Sequence, residues 1–253
     1  MYLDLEDDGL SKTLFYRGVH EPLATAWVRR EVEPGMTVVD VGANLGYYAL
    51  LESAGAGPGG RVHALEPVPT TYELLCRNLE LNRVTNVEAH CLALAAGPGP
   101  MTMRLPRRRN WAHLPHPALS SARARRLAAL PHREVAVEAT SLDAFVRDQG
   151  IRSLHFLRMD IEGFEIEVVK GAMHTLSRHR PLKVLMELHP FLSDDPQPFV
   201  ELVTALDEAG LAVRYLAQEE ELVAEWPRLE DVLRYLDRQP VAAAPHLLLE
   251  AVR

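Results

Sequence analysis

The 253 residues carry 27 basic and 35 acidic side chains, a net charge of −8, and 47% hydrophobic residues. A chain of that size has room for one sizeable α/β core, its net charge argues against broad nucleic-acid binding, and it holds no apolar run of about 20 residues that would cross a bilayer. The start, Met1-Tyr2-Leu3-Asp4-Leu5-Glu6, is acidic where a secretory signal would be basic, and Cys76 and Cys91 lack metal-ligand spacing; the expectation is a cytoplasmic chain with two buried, reduced thiols.

Residues 1–35 read as a helical lead-in to a single domain spanning 1–253. From Thr37 onward, short β-rich runs alternate with amphipathic stretches, the pattern of a mostly parallel sheet covered by helices on both faces. Thr37 to Val41 follows the turn Pro34-Gly35 and forms the central strand. A helix runs from about Leu45 to Ser53 with Asn44 available as its cap, and Gly55 to Gly60 ends it. Arg61–Leu65 (strand), Pro69 to about Asn82 (helix) and Asn86 to about Leu92 (strand) complete two βα units. Met101–Leu105 is expected to pair with Glu134–Ala139. Between them, residues 106–133 hold Trp111, His113 and His116 among prolines and arginines, the composition of a substrate lid. Ser141 caps a short helix. Leu154–Asp160 is a strand, Gly163 to about Ser177 one long helix, and Leu182–Leu188 another strand. Pro198 to about Ala209 is helical, Ala212–Leu216 extended, Leu229 to about Asp237 helical, and His246–Val252 closes a sheet of six or seven strands.

In such a sheet, ligands bind at the carboxyl ends of the strands where strand order reverses. Asp40-Val41-Gly42-Ala43-Asn44-Leu45-Gly46 follows the first strand, and its glycines let the backbone turn sharply and approach a ligand. It lacks the Gly-x-Gly-x-x-Gly and Gly-Lys-Ser/Thr patterns that cradle phosphates, which disfavours a nicotinamide-dependent oxidoreductase. The acidic strand end and Asn44 suit a phosphate-free ligand bearing an ammonium group, as S-adenosylmethionine does. Glu66-Pro67 ends the second strand, where a carboxylate can accept both ribose hydroxyls.

Asp160-Ile161-Glu162-Gly163-Phe164-Glu165 and Glu187-Leu188-His189 end the next two core strands. Asp160 is expected in the cleft, with Glu162 and Glu165 at a helix start, where negative charge is favoured. Alternation puts Glu187 and His189 on one side of their strand, so Asp160, Glu187 and His189 can converge. His189 is a candidate general base for methyl transfer to oxygen. The same three side chains could instead hold a divalent cation such as Mg2+ that acidifies the acceptor hydroxyl.

These residues together resemble the FkbM-type S-adenosylmethionine-dependent methyltransferases. The likeness runs from about Gly18 to Pro190 and takes in Gly18-Val19-His20-Glu21-Pro22, Asp40 to Gly46, Glu66-Pro67 with Tyr72, Leu75 and Asn78, Ser141-Leu142-Asp143, Asp160 to Glu165, Lys170-Gly171-Ala172, and Glu187 with His189. The resemblance implies a seven-stranded class I methyltransferase (Rossmann-like) sheet with a reversed last hairpin and S-adenosylmethionine as donor. It implies cofactor binding by Glu21, Asp40, Gly42, Asn44, Gly46, Glu66 and Pro67, and an acceptor side made of Asp160, Glu187 and His189. Arg158 stands where the family commonly has lysine. The implied reaction is O-methylation of a small secondary metabolite, with sugar or glycolipid hydroxyls, or a catalytically silent binding subunit, as alternatives. The arginines between Arg104 and Arg133 leave room for an anionic or carboxylate-bearing acceptor, and a homodimer is allowed.

Overall fold

The computed structural model describes residues 1–4, 9–106, 120–218, 221–238 and 244–252. Two lead-in helices, α1 (Leu10–Arg17) and α2 (Pro22–Glu31), precede the sheet. Proline at the head of α2 sits where a missing N–H leaves no hydrogen bond unmade. That helix presses Trp27 flat against Tyr215, ring centres 5.6 Å apart.

The first half then runs β1 (Thr37–Val41), α3 (Tyr47–Ala56), β2 (Arg61–Leu65), α4 (Pro69–Leu81) and β3 (Val87–His90). The chain leaves this sheet after His90, earlier than the apolar pattern suggested. The next elements, β4 (Ala93–Leu94), β5 (Gly99–Pro106), α5 (Ala122–Ala128) and β6 (His132–Thr140), include a separate three-stranded sheet in the order β4-β6-β5. The expected pairing of residues 101–105 with 134–139 is present as the antiparallel β5–β6 ladder. Of the expected lid, residues 107–119, with Trp111, His113 and His116, lie outside the described residues.

The second half contains α6 (Leu142–Asp148), β7 (Phe156–Met159), α7 (Glu165–Lys170), α8 (Met173–Arg178), β8 (Lys183–Glu187), α9 (Gln197–Glu208), β9 (Leu211–Gln218), β10 (Glu221–Glu225), α10 (Leu229–Arg238) and β11 (Pro245–Ala251). Ser141 caps α6, its Oγ accepting the Ala144 N–H. The single helix expected from Gly163 to Ser177 is two, broken at Gly171-Ala172. A side chain at 171 would meet the Ala95 carbonyl oxygen at 2.4 Å, and Asp143 accepts the His174 and Thr175 N–H groups at the head of α8. Local contacts therefore end one helix and start the next.

The main sheet has eight strands in the order β10-β9-β11-β8-β7-β1-β2-β3. This corrects the expectation of a seven-stranded, mostly parallel sheet. β3, β2, β1, β7 and β8 are mutually parallel, β11 is antiparallel to both neighbours, and β10 is antiparallel to β9. The eighth strand is largely exposed and lacks apolar alternation, so its pairing is invisible to a hydrophobicity pattern. The central strands are buried on both faces, as their continuous apolar runs require.

Strand order reverses between β2 and β7, with β1 in the middle. Val41 is level with Leu65 and Met159, and Met159 with Met186. The residues that follow all four strands therefore share one edge. Among the described residues no helix is long and apolar enough to cross a membrane. Cys76 is half-buried and Cys91 exposed, so the thiols are free but not both buried as expected.

Candidate active site

The loop after β1 is shaped by the protein's own packing. The Gly42 and Ala43 N–H groups both donate to the Leu65 carbonyl, at 3.0 and 2.9 Å. Gly42 has φ +82°, and a Cβ there would lie 2.2 Å from the Asp160 carbonyl oxygen; at Gly46, φ +90°, it would lie 2.7 Å from Leu75 Cδ1. Both glycines are thus required by contact with protein atoms, and Gly42 also lines the cleft beside this loop. Asn44 is left-handed at φ 51°, a conformation asparagine tolerates. Its Oδ1 accepts the Leu45 N–H at 2.8 Å and does not cap α3, whose first turn begins at Gly46 without a side-chain cap.

Beside this loop lies a cleft open to solvent. Gly42, Asn44, Glu66, Pro67 and Thr71 line it, together with Leu92 to Leu94 and Met103. Asp160, Ile161, Glu162 and Phe164 complete the lining. Glu66 accepts the Asn44 N–H on Oε2 at 3.0 Å and the Val68 N–H on Oε1 at 2.9 Å. Each carboxylate oxygen keeps a further lone-pair direction. Burial pushes the Glu66 pKa up to about 7, against the pull of the two N–H donors.

Asp40 does not face the cleft. It is fully buried, and Oδ1 accepts from Arg158 Nη1 at 3.1 Å, while Arg158 Nη2 donates to Asp160 Oδ2 at 2.9 Å. The guanidinium lies 3.7 Å over the Tyr48 ring. Burial raises the Asp40 pKa and Arg158 opposes it. Burial would lower that of Arg158, but the charges of Asp40 and Asp160 outweigh it and keep the guanidinium ionised. Two carboxylates and the ring are thus held by one fork-shaped cation, a task a lysine could not perform in the same way.

Beyond Asp160 lies a cluster of carboxylates packed around His189. His189 is almost fully buried; its Nδ1 is 2.9 Å from Glu165 Oε1, and its Nε2 is 3.4 Å from Glu162 Oε2 and 3.8 Å from Glu187 Oε2. Glu165 Oε1 also accepts the Gly163 N–H. Burial disfavours the imidazolium, but the charges of Glu165 and Glu162 dominate and hold the His189 pKa well above its ordinary value. A protonated imidazole has no free ring lone pair, so His189 must give up its Nε2 proton before that atom can accept a proton or ligate a cation. Burial, with the charges of neighbouring acids, lifts Glu162 to about 8 and Glu187 well above the usual carboxylate range.

Glu21 sits on this acceptor side, apart from Glu66. It receives the Tyr48 hydroxyl at 2.7 Å and lies 3.0 Å from His20 Nε2 and 3.6 Å from His246 Nε2. Burial pushes its pKa up, but the two histidines outweigh that and hold it well below the ordinary value. Of the residues expected at the site, Gly42, Asn44, Glu66, Pro67 and Asp160 line the cleft. Asp40 and Gly46 support it from behind, and Glu21, Glu187 and His189 belong to the carboxylate cluster. Sequence reasoning missed Tyr48 and His246, and gave Glu162 only a helix-start role. His246 faces Glu187 across the β11–β8 ladder, a contact that only strand register could have disclosed.

Residues 40–214 match the family model described as Methyltransferase FkbM domain. The chain is 32% identical over 159 residues to Methyltransferase sdnD of Sordaria araneosa, covering 53% of this chain and 59% of that protein. It is 28% identical over 177 residues to 31-O-demethyl-FK506 methyltransferase FkbM of Streptomyces tacrolimicus, covering 63% and 67%. Among solved structures, an O-methyltransferase from Bacillus cereus superposes with a TM-score of 0.51 at 13% identity, covering 98% of this chain and 84% of that one. At that identity the superposition establishes the α/β fold alone.

Proposed function

We propose that this chain, which belongs to the FkbM methyltransferase family, transfers the methyl group of S-adenosylmethionine to a hydroxyl oxygen of a secondary metabolite. The observation that carries the reading is Glu66, fixed by two backbone N–H groups at the end of β2. A carboxylate so held, beside a loop with no phosphate-binding pattern, supports a role in accepting the two ribose hydroxyls. Gly42, Asn44, Glu66 and Pro67, with Leu92 to Leu94 and Phe164, would hold the cofactor, which when bound would supply an electrophilic sulfonium methyl group.

Methyl transfer is an in-line displacement at the sulfonium carbon, so the protein's task is to seat the acceptor oxygen behind that carbon and receive its proton. The carboxylate cluster beyond Asp160 supplies the seat. Glu187, whose pKa burial and then the charge of Asp160 raise well above the ordinary carboxylate value, accepts the proton. A hydroxyl acceptor is supported by the Streptomyces relative, whose name states action on 31-O-demethyl-FK506. An acceptor bearing a carboxylate away from its reacting hydroxyl would find Arg133 at the rim, where its Nη2 reaches Thr70 Oγ1 beside the cleft.

Calorimetry with S-adenosylhomocysteine tests the cofactor site: micromolar binding by the wild type, lost in Glu66→Ala, is expected. No binding by the folded wild type would remove the reading. Transfer of a tritiated methyl group into candidate polyol and macrolide acceptors tests the reaction, and label lost in Asp160→Ala is the expected outcome.

A further inference from the structure

Three groups of histidine and carboxylate side chains each place one ligand-type atom per residue within 4.8 Å of the others. In the first, His63 Nδ1 and His90 Nε2 lie 3.2 Å apart and bond each other, with Phe145 packed edge-on against both rings. In the second, both carboxylate oxygens of Glu21 are already engaged, Oε1 by His20 and Oε2 by Tyr48, whereas in the third Arg158 engages Asp160 through Oδ2. The third group, Asp160, Glu162 and His189, differs in three ways. Two of its members line the methyl-transfer cleft. The buried Glu162 Oε2 has no hydrogen-bond partner among the described residues. His189 presents Nε2 to the carboxylates while Nδ1 is fixed by the fully buried Glu165.

We infer that Asp160, Glu162 and His189 form a binding site for one divalent cation, with Glu165 as the residue that orients the histidine. A ligating imidazole characteristically gives its second nitrogen to a carboxylate, which sets both tautomer and ring angle. Glu165 stands in that relation to His189 at 2.9 Å. Neighbouring ligands around a six-coordinate ion with bonds of about 2.1 Å lie about 3 Å apart, and His189 Nε2 and Glu162 Oε2 are separated by 3.4 Å. Side-chain rotation of a few tenths of an ångström closes the difference. Two carboxylates with one imidazole suit Mn2+ or Mg2+ rather than a thiolate-seeking ion. The structure thus replaces Glu187 of the sequence-derived set with Glu162, since Glu187 Oε2 is the farther from His189, at 3.8 Å. A cation here would lower the pKa of an acceptor hydroxyl. That purpose rests on the proposed methyl transfer, whereas binding of the ion does not.

The test is titration of the chelator-stripped full chain with MnCl2, following the loss of the free-ion electron paramagnetic resonance signal. One Mn2+ per chain is expected, displaced by excess Mg2+. Glu162→Gln should weaken it at least tenfold, and Glu165→Gln by roughly 10- to 100-fold, as removal of an orienting partner does elsewhere. His246→Ala and His90→Ala, which take the histidine from the other two groups, should leave affinity within threefold. Circular dichroism confirms folding of each variant. If His189→Ala does not fold, Glu162→Gln, whose side chain is a quarter exposed, decides the matter. Absence of Mn2+ binding by the wild type, affinity unchanged in both glutamate variants, or loss confined to His246→Ala overturns the inference. Calorimetry with S-adenosylhomocysteine in EDTA keeps the two readings apart. Failure there with Mn2+ bound condemns the methyltransferase reading and leaves the cation site, and the reverse pattern does the opposite.

Discussion

Gly42→Ala distinguishes a glycine kept for the protein's own packing from one kept for a ligand. The residue has φ +82°, and the added Cβ would lie 2.2 Å from the Asp160 carbonyl oxygen and 3.1 Å from Ile161 Cγ2. The left-handed conformation costs about 1–2 kcal/mol for alanine. Because the obstructing atom is backbone, the strand end must also shift, at about 1–3 kcal/mol as in overpacked cores. The expected loss is about 2–5 kcal/mol. Gly18→Ala is the matched control: φ is +69° and ψ −3°, left-handed, and nothing lies within 4 Å of the added carbon, so only the conformational cost applies. Gly46→Ala falls between them, since its obstacle is Leu75 Cδ1, the end of a flexible side chain. Urea denaturation followed by circular dichroism ranks the three. With a slope of about 3 kcal/mol per molar, Gly42→Ala should lower the midpoint by about 0.7–1.7 M and Gly18→Ala by about 0.3–0.7 M. Equal midpoints for Gly42→Ala and Gly18→Ala, with S-adenosylhomocysteine affinity lost only in the former, would refute the packing argument and restore the ligand-clearance one.

Glu66 must be ionised to accept ribose hydroxyls, and with its pKa at about 7 S-adenosylhomocysteine should bind roughly tenfold more weakly at pH 6 than at pH 8; calorimetry in Glu66→Gln should show a flat profile. Arg158→Met leaves Asp40 buried without its cation and should cost about 3–5 kcal/mol at neutral pH. That cost should shrink toward pH 4 as Asp40 takes up a proton, and a pH-independent loss in denaturant titrations would contradict the pairing. Glu52 is fully buried, neither carboxyl oxygen has a hydrogen-bond partner among the described residues, and burial followed by the charge of Asp40 raises its pKa well above 4.5. A raised folded pKa means stability present below the unfolded value and lost as pH rises through the folded one. Glu52→Leu should therefore raise the urea midpoint, by about 1–3 kcal/mol of desolvation penalty relieved, and more at pH 9 than at pH 5.

The core strands β1, β2, β3, β7 and β8 with α3, α4 and α6 between them, the β5–β6 pairing and the placing of carboxylates at the ends of β1, β2, β7 and β8 were legible in the sequence, whereas β4, α5 and the break between α7 and α8 were not. Apolar period and turn residues are local properties, written within a window of a dozen positions. For the same reason Asp40, Glu66, Asp160 and Glu187 could be assigned to one edge of the sheet before any distance was known. What the pattern could not supply was which partner each carboxylate meets. Asp40 and Glu66 end neighbouring strands, yet Arg158 seals the first into the core and two backbone N–H groups hold the second at the cleft. Glu162 and Glu187 share an edge, yet the left-handed turn at Glu162, φ 54°, sets its carboxylate nearer to His189 Nε2. His246 reaches the carboxylate cluster because β11 is inserted between β8 and β9. Strand alternation fixes the face on which a side chain stands, whereas separation depends on register and on backbone angles at single residues. Those are decided only when strands distant in sequence pair, because the energy that selects the register is spread over the packed sheet and resides in no one segment.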